Sequence, residues 1–204
     1  MKIHVICAAY QRVVRFSTLI SLRMLINNFL IQTNPNWELH IIHDGPVTDA
    51  MRTMLDFHAG EDPRIHWEFS SKRNGNFGHP NRKIMLEKIE VNPDDYILMT
   101  NDDNQYTPVF VEYFLGKCHP GIEIGMIYCD TVHSYMGYDV LVTRIKTQFI
   151  DMGSFVVRAD VAKHIGFNYT HEMADGTYAE ACAAECIKRE LKFVHISKPL
   201  FIHN

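Results

Sequence analysis

A chain of 204 residues with 47% hydrophobic and 22% charged side chains has globular composition and length enough to bury a substantial core. A formal net charge of −4 excludes the broad basic footprint of a nucleic-acid binder and leaves room for a local basic pocket suited to a phosphorylated small molecule. Five cysteines, odd in number and without paired-motif spacing, read as reduced thiols of a cytoplasmic protein.

In chain order, Ile3 to Ala8 is a short apolar run rich in β-branched residues, the pattern of a buried strand rather than a signal peptide. Ser17 is placed to cap a helix running to about Gln32, with Leu19, Leu22, Ile26, Phe29 and Leu30 at helical spacing. The same stretch is the most apolar of the chain, but Arg23, Asn27 and Asn28 interrupt it. It is too short to span a bilayer, so no transmembrane segment is expected. Trp37 to His43 reads as a second strand, stopped by Asp44-Gly45-Pro46. A helix near Asp49 to His58 and a third strand from Arg64 to Phe69 follow. Ser70 to Pro80 is rich in turn residues and predicts a loop, then a helix from Arg82 to Ile89 and a fourth strand from Tyr96 to Thr100. Later come strands at Gly125–Cys129, Ser154–Val157 and Phe193–Ile196, with helices at Asp160–Ile165 and Thr177–Glu190. No repeat or linker divides the chain, so one domain is expected over residues 1–204.

Strands alternating with helices predict an α/β protein with a mainly parallel central sheet and helices on both faces. Ligands of such sheets bind beyond the carboxyl ends of the strands. Three of those ends carry Tyr10, Asp44 and Asp102-Asp103. Two adjacent carboxylates are costly to hold together without a cation, and the oxygen donors suit Mg²⁺ or Mn²⁺ completed by a diphosphate. Beside them, the segment from Lys72 to Arg82 combines Gly75 and Gly78 with three cations. Glycines let a backbone approach a ligand, and arginine forks onto phosphate oxygens. Neither a P-loop nor a Gly-x-Gly-x-x-Gly dinucleotide fingerprint is present. Nor does the turn after the first strand carry the Gly-rich, Lys-bearing loop of a nucleotidyltransferase. The twelve histidines look scattered and form no His-Glu-x-x-His motif, so most are expected to be ordinary surface or core residues.

Three segments in order carry a resemblance. Tyr96-Ile-Leu-Met-Thr-Asn-Asp-Asp-Asn104 resembles the metal-binding segment of family 2 glycosyltransferases with the GT-A fold. Trp37-Glu-Leu-His-Ile-Ile-His-Asp-Gly45 resembles their second strand, and Val5-Ile-Cys-Ala-Ala-Tyr-Gln-Arg12 their first strand and turn. The resemblance implies a GT-A domain whose residues 1–104 form a nucleotide-binding half and 105–204 an acceptor-side half. Its partners would be a nucleoside diphosphate sugar, UDP-linked by preference, and a hydroxyl on a saccharide or lipid-linked acceptor.

By the same resemblance, Tyr10 packs on the nucleobase and Asp44 hydrogen-bonds it, with Ala8 and Arg12 in the same first-strand segment. Asp102 faces the ribose or a metal-bound water, and Asp103 is the direct metal ligand. Arg73, Asn74 and Arg82 contact the nucleotide, and His203 is a further metal ligand. The catalytic base is implied at Asp175, read as lying just before a helix like an N-cap, with Glu180 as the alternative. Asp151 lines the donor or acceptor side, where Gly153 leaves room for a sugar. Two departures are visible. His43 stands where the family usually has an Asp, and Ala8 where a small hydroxyl residue is common. A non-catalytic nucleotide-sugar-binding module is the competing reading.

Overall fold

The computed structural model describes residues 1–11 and 17–204, without the side chain of Ser17. Arg12 and any capping contact of Ser17 therefore lie outside the described residues. The first half runs β1 (Ile3–Ala9), α1 (Ser17–Leu30), β2 (Trp37–His43), α2 (Asp49–Glu61), β3 (Ile65–Phe69), α3 (His79–Lys88) and β4 (Tyr96–Asn101). The second half runs β5 (Gln105–Tyr106), α4 (Phe110–Leu115), β6 (Ile124–His133), β7 (Asp139–Leu141), β8 (Phe155–Arg158), α5 (Ala159–Ile165), α6 (Ala174–Lys188) and β9 (Lys192–His203). Of these, β5, α4 and β7 have no counterpart in the sequence reading. They are short, and too few residues fix a period.

All the strands join one sheet in the order β3-β2-β1-β4-β8-β6-β9-β5, with β7 added to the end of β6. The block β3-β2-β1-β4 is parallel throughout, and β6 and β9 form a second parallel pair; together these hold most of the paired residues. Antiparallel β8 links the two blocks by pairing with both β4 and β6.

Every residue of β1 is buried, because helices cover both faces of the strand. Side-chain alternation sends Ile3, Val5 and Cys7 to one core with α1, α2 and α4, and Ile6 to the other with α3, α5 and α6. Trp37, Leu39 and Ile41 divide from Ile42 in the same way, as do Tyr96 and Leu98 from Ile97 and Met99. Among the described residues, no helix is long and apolar enough to cross a membrane.

Among the boundaries that differ from the sequence reading, three have a clear local reason. α3 begins at His79 and not at Arg82, because Gly78 takes the left-handed conformation and Pro80 sits in the first turn, where its missing N–H costs nothing. α6 begins at Ala174 and not at Thr177. Gly176 there lies so close to Thr147 that a Cβ would fall 2.3 Å from the Thr147 Cα, so tertiary packing overrides the turn preference of Asp-Gly. β9 continues past Pro199 to His203, since the proline falls at an irregularity in the β6 register where no ladder N–H is required.

Candidate functional site

β1, β2 and β4 end at one edge of the sheet, over an open pocket of about 590 Å³. Ala8, Ala9, Tyr10, Asp44, Arg73, the segment Gly75 to Gly78, Asn101 and Asp102 line it. The turns that carry these groups are fixed by hydrogen bonds. Asp102 accepts from the Tyr10 backbone N–H at 3.1 Å, which ties the end of β1 to the end of β4. The Asp102-Asp103 turn is stapled by Asn104, whose amide donates to the Thr100 hydroxyl at 3.1 Å, and by Tyr106, whose hydroxyl donates to the same oxygen at 2.7 Å. His43 is buried and holds the turns after β1 and β2 together. Its Nδ1–H donates to the Gly45 carbonyl at 2.8 Å, which leaves Nε2 to accept from the Gln11 N–H at 3.2 Å. The residue that departs from the family pattern is thus a brace between two pocket turns.

Asp44 is 5% exposed, and its carboxylate anchors the loop opposite. It accepts from the backbone N–H of Asn74 at 2.7 Å and of Gly75 at 3.0 Å, and from the Asn81 amide at 3.2 Å. Arg73 stands above it, with Nε 3.9 Å from the carboxylate and the guanidinium stacked 3.8 Å from the Tyr10 ring centre. Asn74, by contrast, directs its side-chain amide to Asn81 at 2.7 Å. Gly78 closes the loop against β1: with φ +76°, its missing side chain would fall 2.8 Å from the Ala8 methyl.

Arg82 differs from the expectation of a helix-opening residue in the loop. It is the fourth residue of α3 and 2% exposed. Its guanidinium donates to the Phe77 carbonyl at 2.8 Å and to the Asn101 side chain, and the buried Nε has no hydrogen-bond partner. A second Nη1 contact, 3.0 Å to His79 Nδ1, identifies that nitrogen as the acceptor, so Nε2–H of His79 donates to the His171 carbonyl at 3.1 Å. Burial, and then the adjacent Arg82, depress His79 from the usual histidine value to about 4. Burial likewise lowers Arg82, against the opposing pull of Asp175, Cys7 and Asp102. The buried cation therefore feels carboxylates from both halves of the chain.

The second half contributes a compact ionic group. Asp151 receives His133 Nε2 at 2.7 Å, while His203 Nδ1 lies 3.1 Å from its other oxygen without an aligned hydrogen bond. Burial pushes the Asp151 carboxyl up, but His203 and His133 together bring it below its ordinary value. Burial would lower His203, yet Asp151, Asp175 and Asp103 raise it above the usual histidine range. Asp175 lies in the first turn of α6, and the N-cap position is Met173, with no side-chain capping bond. The expected N-cap reading is thereby replaced: the Asp175 carboxylate accepts from the Met152 N–H at 3.1 Å. Burial raises its pKa above the ordinary carboxylate value, with Arg82 partly opposing. The end of β9 is held to the acidic turn by Asn204, whose amide donates to the Asp103 carbonyl at 2.6 Å.

Tyr10, Asp44, Arg73, Ala8 and Asp102 thus meet at the pocket, while Asp103, Asp151 and Asp175 all act on His203 at the end of β9. Glu180 is not drawn in: it is exposed and accepts from the Thr147 N–H at 2.7 Å and hydroxyl at 3.0 Å. The open space expected at Gly153 is also absent, since a Cβ there would meet Phe201 Cε2 at 2.3 Å and the Tyr106 hydroxyl at 2.7 Å. Sequence reasoning missed His133, Asn81 and Asn101. Their only signal was position at a strand end or helix start, which many polar residues share.

A divalent cation fits the donors present. His203 Nδ1 is buried without a hydrogen bond, and His133, Asp151 and His203 each bring a ligand atom within 4.8 Å of the others. Asp103 acts on the same His203. Mixed carboxylate and imidazole donors suit Mn²⁺ or a similar ion.

No protein-family model matches the sequence. No curated protein matches it either. Solved structures do. TarS of S. aureus superposes with a TM-score of 0.74 at 12% identity, over 100% of this chain and 37% of the other. A TarS 1–349 structure in complex with UDP gives 0.73 at 13% identity, over 100% and 60%. The mannosyltransferase PcManGT of Pyrobaculum calidifontis, in complex with GDP-Man and Mn²⁺, gives 0.66 at 12% identity, over 99% and 56%. The chain spans between about one third and three fifths of the length of these neighbours. Its fold is the GT-A fold of these glycosyltransferases.

Proposed function

We propose that this chain is a family 2-like glycosyltransferase, one catalytic domain that moves a sugar from a UDP-linked donor to a hydroxyl on a saccharide or lipid-linked acceptor, with inversion. The observation that carries the reading is the strand-end pocket, lined by Asp102 with Asp103 next in the same turn, and the raised carboxyl of Asp175 beyond buried Arg82. The UDP and GDP-Man complexes of the structural neighbours support it at the level of fold. Five unpaired thiols, four of them buried, are consistent with a reducing cytoplasm.

In this reading Tyr10 and Asp44 receive the base, Arg73 lies at the phosphates, and residues 75–78 offer backbone to the donor. Asp103, with His203 and Asp102, would hold Mn²⁺ or Mg²⁺, which when bound would supply positive charge for the departing diphosphate. Asp175 accepts the proton of the acceptor hydroxyl while that oxygen bonds to the anomeric carbon and the sugar–phosphate bond breaks. Its burial serves this role, because a more basic carboxylate takes a proton more readily. Asp151 holds His203 and His133 in place at the border of the acceptor side.

The test is donor turnover by wild type, Asp175→Asn and Glu180→Gln. Loss of about 10²–10⁴-fold in Asp175→Asn with UDP affinity retained is expected, the range for removal of a general base. Glu180→Gln should turn over as wild type does. Equal rates in Asp175→Asn would remove that residue from the role. A wild type that binds UDP yet turns over no donor would identify a nucleotide-sugar-binding module.

A further inference from the structure

Two histidines and a glutamate converge at the end of the sheet opposite the pocket, with a third histidine beside them. His4 lies on β1, Glu38 and His40 on β2, and His66 on β3. The register sets His4 beside Glu38 and His40 beside His66, and their even numbering puts all four side chains on one face. His40 stacks between the other two rings, at 5.6 Å from His4 and 5.0 Å from His66.

The donor atoms of His4, Glu38 and His40 all lie within 4.8 Å of one another, and His66 stands outside that group. His4 Nδ1 lies 3.3 Å from His40 Nε2 and 3.5 Å from Glu38 Oε2. The same Glu38 oxygen is 3.6 Å from His40 Nε2 and 3.9 Å from His66 Nε2. A tetrahedral zinc ion with bonds of about 2.0–2.1 Å separates its ligand atoms by about 3.3–3.4 Å. We propose that His4, Glu38 and His40 form a Zn²⁺ site that clamps β1 to β2, with the fourth position left to water.

The surroundings are those such a site requires. His4 Nε2 lies 3.2 Å from Asp95, a carboxylate that accepts its proton and leaves Nδ1 as the ligand. Asp95 is fixed in turn by the Lys2 N–H at 2.8 Å and the Asn92 amide at 3.1 Å. Glu38 divides its oxygens, one paired with Lys2 and the other turned to the histidines. His4 and His40 are buried, and the half-exposed His66 side chain borders the site beside Glu38. Six residues of strand separate His4 from Tyr10, roughly 20 Å at about 3.3 Å each, so the site is distinct from the pocket. The motif is invisible in sequence because each strand supplies only one or two ligands.

The test uses chelator-stripped protein titrated with Zn²⁺ against a chromogenic chelator, and with Co²⁺ as a spectroscopic probe. One equivalent of Zn²⁺ per chain beyond any held by His133, Asp151 and His203 is expected, with the intense visible bands of tetrahedral Co²⁺. Glu38→Gln, at a partly exposed position, should weaken Zn²⁺ by about tenfold or more, while His66→Ala should bind nearly as wild type does. A His4→Gln/His40→Gln double variant should abolish that equivalent, while Asp103→Ala should keep it. Absence of stoichiometric Zn²⁺, a pale octahedral Co²⁺ spectrum, or Zn²⁺ affinity unchanged by Glu38→Gln would overturn the site. Loss of that equivalent in Asp103→Ala would also overturn it, by assigning the ion to the pocket.

Discussion

Replacing Asp44 by alanine removes the anchor of the loop that forms one wall of the pocket. The carboxylate, 5% exposed, accepts three hydrogen bonds, at 2.7, 3.0 and 3.2 Å. Hydrogen bonds to a charged acceptor contribute about 1.5–3 kcal/mol each. Asn74 and Gly75 are only half-buried, however, and their freed N–H groups regain water. The net loss should therefore be about 2–4 kcal/mol and not the full sum. For a chain of this size that corresponds to a melting temperature lower by roughly 4–16 °C. Urea unfolding should give the lower midpoint with an unchanged slope, and hydrogen exchange should accelerate at the Asn74 and Gly75 amides. Asp44→Asn should fall between, because its amide presents one oxygen and turns an NH₂ group toward another donor. Stability within about 0.5 kcal/mol of wild type, with unaltered exchange at those two amides, would refute the anchoring role.

Other sites give independent outcomes. Gly78→Ala combines φ +76° with a Cβ 2.8 Å from the Ala8 methyl, and should cost about 1–3 kcal/mol in thermal unfolding and weaken nucleotide binding. Gly153→Ala drives a methyl into the Phe201 ring and should destabilise by about 2–3 kcal/mol. A Gly153→Ala protein that melts like wild type but loses only acceptor affinity would restore the open-space reading of that residue. His79 titrates at about 4 when folded, against about 6.5 in the unfolded chain. In that window the unfolded state binds the extra proton, so stability falls as pH drops from about 6.5 toward 4, by at most about 3 kcal/mol from this residue. His79→Gln, compared with wild type by urea unfolding at pH 7 and pH 4.5, should flatten part of that dependence. For Asp175, the raised carboxyl predicts turnover that declines as pH falls through its pKa, and rate profiles should show an acid limb above the ordinary carboxylate range.

The parallel half of the sheet was legible because β1, β2 and β4 are apolar runs that stop at turn residues, and because Tyr10, Asp44 and Asp102 fall at those stops. The pocket gathers them as that pattern predicts. The tertiary contacts around α3 were not legible. Nothing local in Arg82 signals that Phe77, His79 and Asn101 will enclose it, and Pro80 moves the helix start only in combination with left-handed Gly78. Asp175 was located by its neighbourhood but given the wrong local job, since Asp-Gly normally ends structure and here begins a helix pressed on Thr147. The histidines looked scattered because strand pairing, and not spacing along the chain, brings His4 to His40 and His133 to His203.

The central claim is that the pocket over Asp102-Asp103 binds a nucleoside diphosphate together with a divalent cation. Its most direct test is a thermal-shift titration of the wild-type chain with UDP in the presence of Mn²⁺, repeated with Asp103→Ala. The account predicts a melting temperature that rises with UDP only when the metal is present, and no rise in Asp103→Ala. No shift with any nucleoside diphosphate and metal, or an undiminished shift in Asp103→Ala, would contradict it.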